Sequence, residues 1–400
     1  MIETLENQIK AKYPSYSLAQ AQREAERCFY CYDPPCVKAC PTAIDIPTFI
    51  KKIATNNIIS AAKTILSANI LGHSCAKVCP VEVLCAGACV YHELDQPPIA
   101  IGRLQGFATE HGQKNLSPEQ ILGQSKSLKN KHIALVGAGP ASLAAASMLA
   151  LEGYRTTIFE KSSLPGGLNS QGVAPYKLKH QEAIDEINWL LSLGIDLCLG
   201  VEISDYRALL DKYDAVFVGV GLGIDKSLDL AHIQGPGVSG ACELIKKIKT
   251  DPGFSLGGIA RAHIIGGGNT AIDCAHELKL LGLKEVSILY RRSKQHMSAY
   301  DHELALALAS GVRLIEQIEL AKIIREDNRL VGFTTNLSDE VITSDLIVLS
   351  IGQVGADAMP KHPKIWYAGD CLNGGKEVVN AVAEAKTAVA DMIKTLERDG

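Results

Sequence analysis

The chain lacks any block of like charge, and its formal net charge over 400 residues is only −4. Nothing in it therefore argues for nucleic acid or an anionic membrane surface as a partner. It also lacks a secretory leader. The opening MIETLENQIKAKYPSYS is polar and mixed in charge, which makes the cytoplasm the expected location. Long apolar runs are absent with one exception, Ile133 to Leu151, uncharged over nineteen residues. That length alone would span a bilayer. But GAGP stands in its first third, and a strand, a tight turn and a helix fit that pattern better than a membrane span. Hydrophobic residues at 47% and charged residues at 21% are ordinary for a soluble globular protein. The length is too great for one ordinary core, so two or three domains are expected.

Cysteine is abundant but confined. Eight of the twelve fall between residues 28 and 89, and Cys198, Cys242, Cys274 and Cys371 are scattered. Secreted disulfide domains are usually short and cysteine-rich throughout. One dense region ahead of a long α/β sequence fits a cytoplasmic protein with a metal or iron–sulfur region better.

Residues 1 to about 115 read as short helices joined by cysteine loops. LAQAQREAER, IPTFIKKIATNN after the capping candidate Asp45, and ISAAKTILSAN are helical in pattern. HGQKNLSPEQILGQSKSLKNK reads as a surface linker. Strands and helices alternate beyond it. HIALVGAGPASLAAASMLALEGYRTTIFEK, from His132, resembles AHIIGGGNTAIDCAHELKLLGLKEVSILYRR, from Ala262. Each is a strand, a glycine turn, a helix, a glycine and a strand. Gly153 follows Gly137 by sixteen residues, and Gly282 follows Gly266 by the same count. This is an internal duplication of the dinucleotide-binding βαβ unit.

In each copy the first glycine, Gly137 or Gly266, makes the turn. The second, Gly139 or Gly268, lets backbone N–H groups approach a pyrophosphate, and the helix N-terminus faces its charge. The third place holds Ser142 and Ala271, both small enough for close helix–strand packing, though Ser142 departs from the usual glycine. The end of the second strand differs between the copies. Glu160 ends it in the first, where a carboxylate accepts from ribose hydroxyls and repels a 2′-phosphate. Arg291-Arg292, with Lys294 beyond, stands at the matching place in the second, and arginine forks suit a 2′-phosphate. The first site therefore reads as FAD or NAD and the second as NADP. A solvated basic turn is the plainer reading of the arginines.

Near the C-terminus stands IWYAGDCLNGGKEVVNAVAEAKTAVADMI, a strand, Gly369-Asp370, a loop and a helix. In two-dinucleotide flavoproteins such a GD carries the carboxylate that bonds the ribityl chain of FAD. The next helix turns its N-terminus to the pyrimidine end of the flavin. A helix cap is the other reading of Asp370. AVFVGVGLG, residues 215–223, resembles the strand and turn where such chains cross between domains. The expected organisation is a helical domain over 1–115, an FAD domain over 130–235 and 345–400, and a nicotinamide domain over 236–344.

The cysteine runs are C-x2-C-x4-C-x3-C-P from Cys28 and C-x3-C-P-x4-C-x3-C from Cys75. Thiolates are soft ligands that suit iron–sulfur clusters, and a closing Cys-Pro is similar to bacterial ferredoxins. Two [4Fe–4S] clusters are expected, with a structural zinc module as the alternative. Zinc carries no electrons and would be idle before a flavin domain. The chain thus reads as an α-helical N-terminal iron–sulfur domain followed by an α/β two-dinucleotide-binding, Rossmann-like flavoprotein fold. Its chemistry would be hydride transfer from NADPH, or NADH, to FAD, then single electrons through the clusters. That work is positioning, so no catalytic acid or base is named. No CxxC lies in the nicotinamide domain, which argues against a thioredoxin reductase. A non-enzymatic redox-sensing scaffold is the rival outside catalysis.

From about Glu24 onward the chain resembles the FAD-containing electron-input subunit of bacterial dihydropyrimidine dehydrogenase. It also resembles the glutamate synthase small subunit and the N-terminal half of the single-chain pyrimidine enzyme. The resemblance rests on CFYCYDPPCVKACP, CAKVCP with Cys85 and Cys89, IGRLQ, GAGPAS, PGGL, GGGNTAID, YRR and AGD. It implies crossed ligation. Cys28, Cys31, Cys36 and Cys89 would hold one cluster. Cys40, Cys79 and Cys85 would hold the other, with Gln105 as fourth ligand and Cys75 free. Four ligands from each run in sequence is the plainer reading by spacing. The resemblance also implies FAD contacts from Pro140, Ala141, Lys161, Gly167, Leu168, Glu377 and Val378, and nicotinamide contacts from Asn269 and Thr270. It implies a catalytic partner subunit, an FMN-containing barrel acting on uracil or thymine. After Asp370 one helix remains, with no room for a barrel of about 250 residues, so the acceptor is expected in another chain. A ferredoxin–NADP oxidoreductase subunit is a further alternative. Two departures stand out. GQVGADAMPKHPK between Ile351 and Trp366 is short, as though a strand pair were trimmed, and GVAPYKL replaces a more usual G-I-P-x-x-R/K-L.

Overall fold

A computed structural model describes residues 4–355 and 359–398. The trimmed segment between Ile351 and Trp366 thus lies partly outside the described residues. The described chain divides into two compact units. The larger holds residues 13–170, 181–222 and those from 355 onward, and the smaller holds 4–12, 171–180 and 223–354.

The larger unit opens with helices α1 (Leu18–Glu26), α2 (Pro35–Lys38), α3 (Ile46–Ala54), α4 (Ile58–Ala68), α5 (Gly72–Val78) and α6 (Ile101–Asn115). Their starts follow from capping chemistry. Ser17 and Gln20 form a capping box on α1, and Asp45 accepts from the N–H of Thr48 at 3.2 Å on α3. Ile46, Phe49, Ile50 and Ile53 place one face of α3 in a core shared with Ile65 and Leu104. The expected surface linker is partly ordered. Its first residues complete α6, and Ser117 with Gln120 caps a short helix α7 (Pro118–Leu122) that buries Ile121. The S-P-E-Q stretch is itself a helix-start signal.

β1 (His132–Val136), α8 (Pro140–Leu151), β2 (Arg155–Glu160), α9 (Leu168–Gln171), α10 (His180–Leu191), β3 (Asp196–Leu199) and β4 (Ala215–Val218) follow. The long apolar run is β1 and α8. Nine of the twelve α8 residues are buried, because the helix is covered by the sheet on one side and by a later helix on the other. Among the described residues no helix is long and apolar enough to cross a membrane.

The smaller unit contains β5 (Val238–Gly240), α11 (Ala241–Thr250), β6 (Arg261–Ile265), α12 (Asn269–Leu280), β7 (Glu285–Tyr290), α13 (Asp301–Ala309) and β8 (Arg313–Glu316). An antiparallel meander, β9 (Leu320–Glu326), β10 (Arg329–Thr335) and β11 (Ser338–Thr343), leads to β12 (Leu346–Leu349). The chain then returns to the larger unit with β13 (Ile365–Tyr367), α14 (Asp370–Asn373) and α15 (Val378–Arg398).

Each unit carries a five-stranded parallel sheet. The orders are β13-β4-β1-β2-β3 and β5-β12-β6-β7-β8. β1 and β6 hold corresponding central places, so the duplication read from the glycines is a duplication of architecture. In parallel sheets of this kind ligands gather at the carboxyl ends of the strands.

Candidate cofactor sites

The first dinucleotide turn follows β1. Gly137 has φ +87°, and a Cβ there would stand 2.6 Å from the carbonyl oxygen of Gly219. No other residue fits. Gly139 is the N-cap of α8, and Pro140 and Ala141 open the helix. Ser142, in the place of the third glycine, is fully buried, and its hydroxyl donates to the Val136 carbonyl at 3.4 Å. The Glu160 carboxylate, at the end of β2, accepts from the N–H groups of Ala138 and Ser162, each at 2.7 Å. It therefore braces the turn at which its own strand ends. Gly167 packs against Gly139 so closely that a Cβ on Gly167 would lie 3.1 Å from Gly139 Cα. Leu168 is 39% exposed beside it, and Lys161 is exposed.

Gly369, after β13, has φ +79°, and its Cβ position lies 3.1 Å from the Ala141 methyl. The Gly369-Asp370 turn therefore reaches the start of α8, and the C-terminal segment meets the first turn. Asp370 accepts from the Lys376 N–H at 3.0 Å. Burial raises its pKa, the Lys376 bond opposes, and Glu384 raises it further. Glu377 and Val378 stand at the N-terminus of α15.

The second turn follows β6. Gly266 has φ +147°, with its Cβ position 2.1 Å from the Ser350 carbonyl. Gly268 caps α12. Asn269, its first residue, accepts from the Tyr300 N–H at 2.9 Å, and Thr270 follows it. Strand register corrects one placement. Val136 pairs with Phe159 and Ile265 with Leu289, so Tyr290 occupies the place of Glu160. Arg291 corresponds to Lys161. Both Arg291 and Arg292 are exposed just past the strand end, and the Arg292 guanidinium lies 5.6 Å from the Tyr290 ring centre.

The cysteines separate across the two runs. Cys28, Cys31, Cys36 and Cys89 line one hollow of about 370 Å³, part of it open to solvent. Phe29, Pro34, Ile46, Ile50, Tyr91 and Ile101 complete its apolar wall. Burial, then the neighbours Cys28 and Cys89, pushes the Cys36 thiol up to about 12, and burial raises Cys28. The second set contains Cys40, Cys79 and Cys85. Burial, with Cys40 next, pushes Cys85 up to about 12. Cys79 is raised first by a hydrogen bond with Cys75, then by burial, Cys85 and Glu377. The Glu377 influence places this set beside the N-terminus of α15. Among the described residues no three His, Cys, Asp or Glu side chains converge on a single ion position. Four soft ligands lining one apolar hollow, with no single-ion site among the described residues, fit a thiolate-bound cluster. Iron would supply the positive charge that lets such desolvated thiols ionise.

Gln105, on α6, is buried, and its Nε2 donates to the Gly72 carbonyl at 2.8 Å. Cys75 is also buried, and its sulfur accepts from Asn69 Nδ2 at 3.1 Å. The sequence assigns no role to two further groups. Glu186, on α10, is 2% exposed and accepts from the N–H groups of His73 at 3.0 Å and Ser74 at 3.1 Å. It thereby caps α5, the helix that leads into Cys79. In the smaller unit Lys177 lies 2.8 Å from Asp273 and 2.6 Å from Glu303. Burial opposes its charge, but the two carboxylates outweigh it and push its pKa up to about 12. No motif marks Glu186, whereas Lys177 stands at the basic place of the GVAPYKL stretch, its partners Asp273 and Glu303 lying far along the chain.

Two parallel dinucleotide-type sheets behind a thiol-rich helical segment define a pyridine-nucleotide flavoprotein oxidoreductase with an iron–sulfur domain. The family "Dihydropyrimidine dehydrogenase domain II, 4Fe-4S cluster" matches residues 5–116, and "Pyridine nucleotide-disulphide oxidoreductase" matches residues 131–385. The NAD-dependent dihydropyrimidine dehydrogenase subunit PreT of Escherichia coli K12 is 32% identical over 413 residues, covering 98% of each chain. The glutamate synthase [NADPH] small chain of Halomonas elongata is 28% identical over 442 residues, covering 96% of this chain and 93% of that one. The thioredoxin reductase of T. acidophilum superposes with a TM-score of 0.56 at 18% identity, over 67% of this chain and all of that one. That last likeness is one of fold. The chain belongs to the pyridine nucleotide-disulphide oxidoreductase family, in the branch of PreT-like subunits with an N-terminal 4Fe-4S domain.

Proposed function

We propose that this chain is the electron-input subunit of a pyrimidine-reducing enzyme, using NADPH, FAD and two [4Fe–4S] clusters to supply an FMN-containing catalytic partner. The groups, when bound, would supply hydride transfer to the flavin and one-electron transfer onward. The chain's residues bind and orient them. Gly137, Gly139 and the start of α8 would receive the FAD pyrophosphate, Glu160 its ribose, and Asp370 its ribityl chain. Gly266, Gly268, Asn269 and Thr270 would receive the nicotinamide dinucleotide. The FAD-binding parts would lie in the larger unit, residues 130–170, 181–222 and those from 355 onward, and the nicotinamide part in the smaller unit's 223–354, since β12 pairs with β6.

The observation that carries this reading is that both cysteine runs contribute to one hollow, Cys28, Cys31 and Cys36 from the first and Cys89 from the second. It supports crossed ligation over four ligands from each run in sequence. Glu377 beside Cys79 supports placing the second cluster nearest the flavin. The hollow of Cys28 and Cys89, with Phe29 56% exposed and Tyr32 fully exposed at its loop, is then the outward one. For the coenzyme the relatives' names divide between NAD and NADPH. Arg291-Arg292 favours NADPH here, with NADH the alternative. A glutamate synthase partner is the second reading, supported by the relative of that name.

The test is iron chemistry. Anaerobically purified chain should carry about eight iron and eight acid-labile sulfide, as two Fe4S4 centres require. Cys40→Ala should lose one cluster and keep the other. A colourless zinc-loaded protein, or full iron in the Cys40 variant, contradicts the reading.

A further inference from the structure

We propose that Lys177 is a positioning residue for the nicotinamide coenzyme, clamping the first turns of α12 and α13 so that residues 297–300 stay closed over the second glycine turn. The inference rests on the reading of that turn, above, as the coenzyme site. Residues 297–300, between β7 and α13, lie along the turn. The Ala299 N–H donates to the Gly267 carbonyl at 3.2 Å, and the Tyr300 N–H donates to Asn269 Oδ1 at 2.9 Å. Just before them, the Tyr290 hydroxyl donates to the His296 carbonyl at 2.6 Å. Ser298 Oγ stands 3.6 Å from the Cβ position of Gly268, beside the backbone that a pyrophosphate would approach. The segment is therefore one wall of the cradle, and the start of α12 is its floor.

Lys177 ties wall to floor. Its Nζ lies 2.8 Å from one carboxylate oxygen of Asp273 and 3.0 Å from the other, and it donates to Glu303 Oε1 at 2.6 Å. Asp273 stands one turn beyond Asn269 on α12, and Glu303 is in the first turn of α13, just past Tyr300. Residues four apart on a helix share a face, so the clamp runs beside the Asn269–Tyr300 bond. The lysine is itself held in place. Lys249, buried on α11, donates to the carbonyls of Val173 and Leu178, at 2.9 and 2.7 Å, on either side of it. Asp273 and Glu303 are both buried, and Glu303 Oε2 has no hydrogen-bond partner. Without the cation two buried carboxylates would repel each other, and the helix starts that carry them would part. Coenzyme affinity then falls with the fraction of chains whose cradle is closed.

The experiment compares full-length wild type with Lys177→Met, Lys177→Arg and Glu303→Leu, purified anaerobically, with FAD and iron counted. Glu303→Leu cuts the clamp at α13 and leaves Lys177 paired with Asp273, so it serves where the methionine variant does not fold. Isothermal titration with NADP+ and with NAD+ reads affinity without turnover, and NADPH- or NADH-driven ferricyanide reduction reads KM and kcat. A cradle closed only about one-tenth of the time should raise Kd and KM about tenfold. kcat at saturating coenzyme should stay near wild type, a split that a general loss of stability would not give. Arginine, which keeps the charge, should return Kd to near the wild-type value. Unchanged Kd in both Lys177→Met and Glu303→Leu would overturn the proposal, as would a fall in kcat at unchanged KM. A wild-type chain that binds neither coenzyme would instead remove the reading on which it stands.

Discussion

Arg291 and Arg292 concentrate what a single side chain can decide here. They sit exposed past the end of β7, one position beyond the place that Glu160 holds in the first copy. The proposed role for their guanidinium groups is to meet the 2′-phosphate of NADPH. Replacing both with glutamine should raise KM for NADPH and leave KM for NADH nearly unchanged. Each charge-assisted contact contributes roughly 1.5–3 kcal/mol, which is about ten- to a hundredfold per residue. Steady-state kinetics with both coenzymes decides it, and a wild type that already prefers NADH refutes the assignment. The glycines of both turns were legible from sequence because backbone geometry admits nothing else at Gly137 and Gly266. The identity of the residue facing Glu160's place was not. Strand pairing, with Val136 opposite Phe159 and Ile265 opposite Leu289, puts Tyr290 there.

At the scale of elements, α5 illustrates why motif reading stops where it does. The CAKVCP stretch announces thiols but says nothing of what holds the helix that carries them. That task falls to Glu186, whose carboxylate receives the N–H groups of His73 and Ser74 from more than a hundred residues away. Gln105 and Thr109, on α6, brace the same turn through the Gly72 carbonyl and the His73 ring. Glu186→Ala removes the acceptor of three buried donors, the N–H groups of His73 and Ser74 and the Ser74 hydroxyl, and should cost at least about 1–3 kcal/mol. Glu186→Gln keeps an acceptor and should cost less. Denaturant unfolding of the two variants measures the difference, and equal stability of wild type and Glu186→Ala contradicts the role. Helices α1, α3 and α4 were readable because caps and apolar spacing agree within a few residues. The assignment of residues 4–12 and 171–180 to the smaller unit was not. It depends on Lys177 with Asp273 and Glu303, and on Glu6 accepting from the His180 N–H at 2.9 Å.

For the whole molecule, the proposed role is to feed electrons to a catalytic centre held in another chain. In that proposed role both dinucleotide turns and both thiol sets would serve input and relay. The measurement that bears on this most directly is NADPH-dependent uracil consumption by the purified, iron-replete chain, alone and with an FMN-containing partner subunit, with ferricyanide reduction as the control for input activity. The account predicts ferricyanide reduction without a partner, no uracil turnover by the isolated chain, and turnover once the partner is added. Uracil turnover by the isolated, homogeneous chain would contradict it.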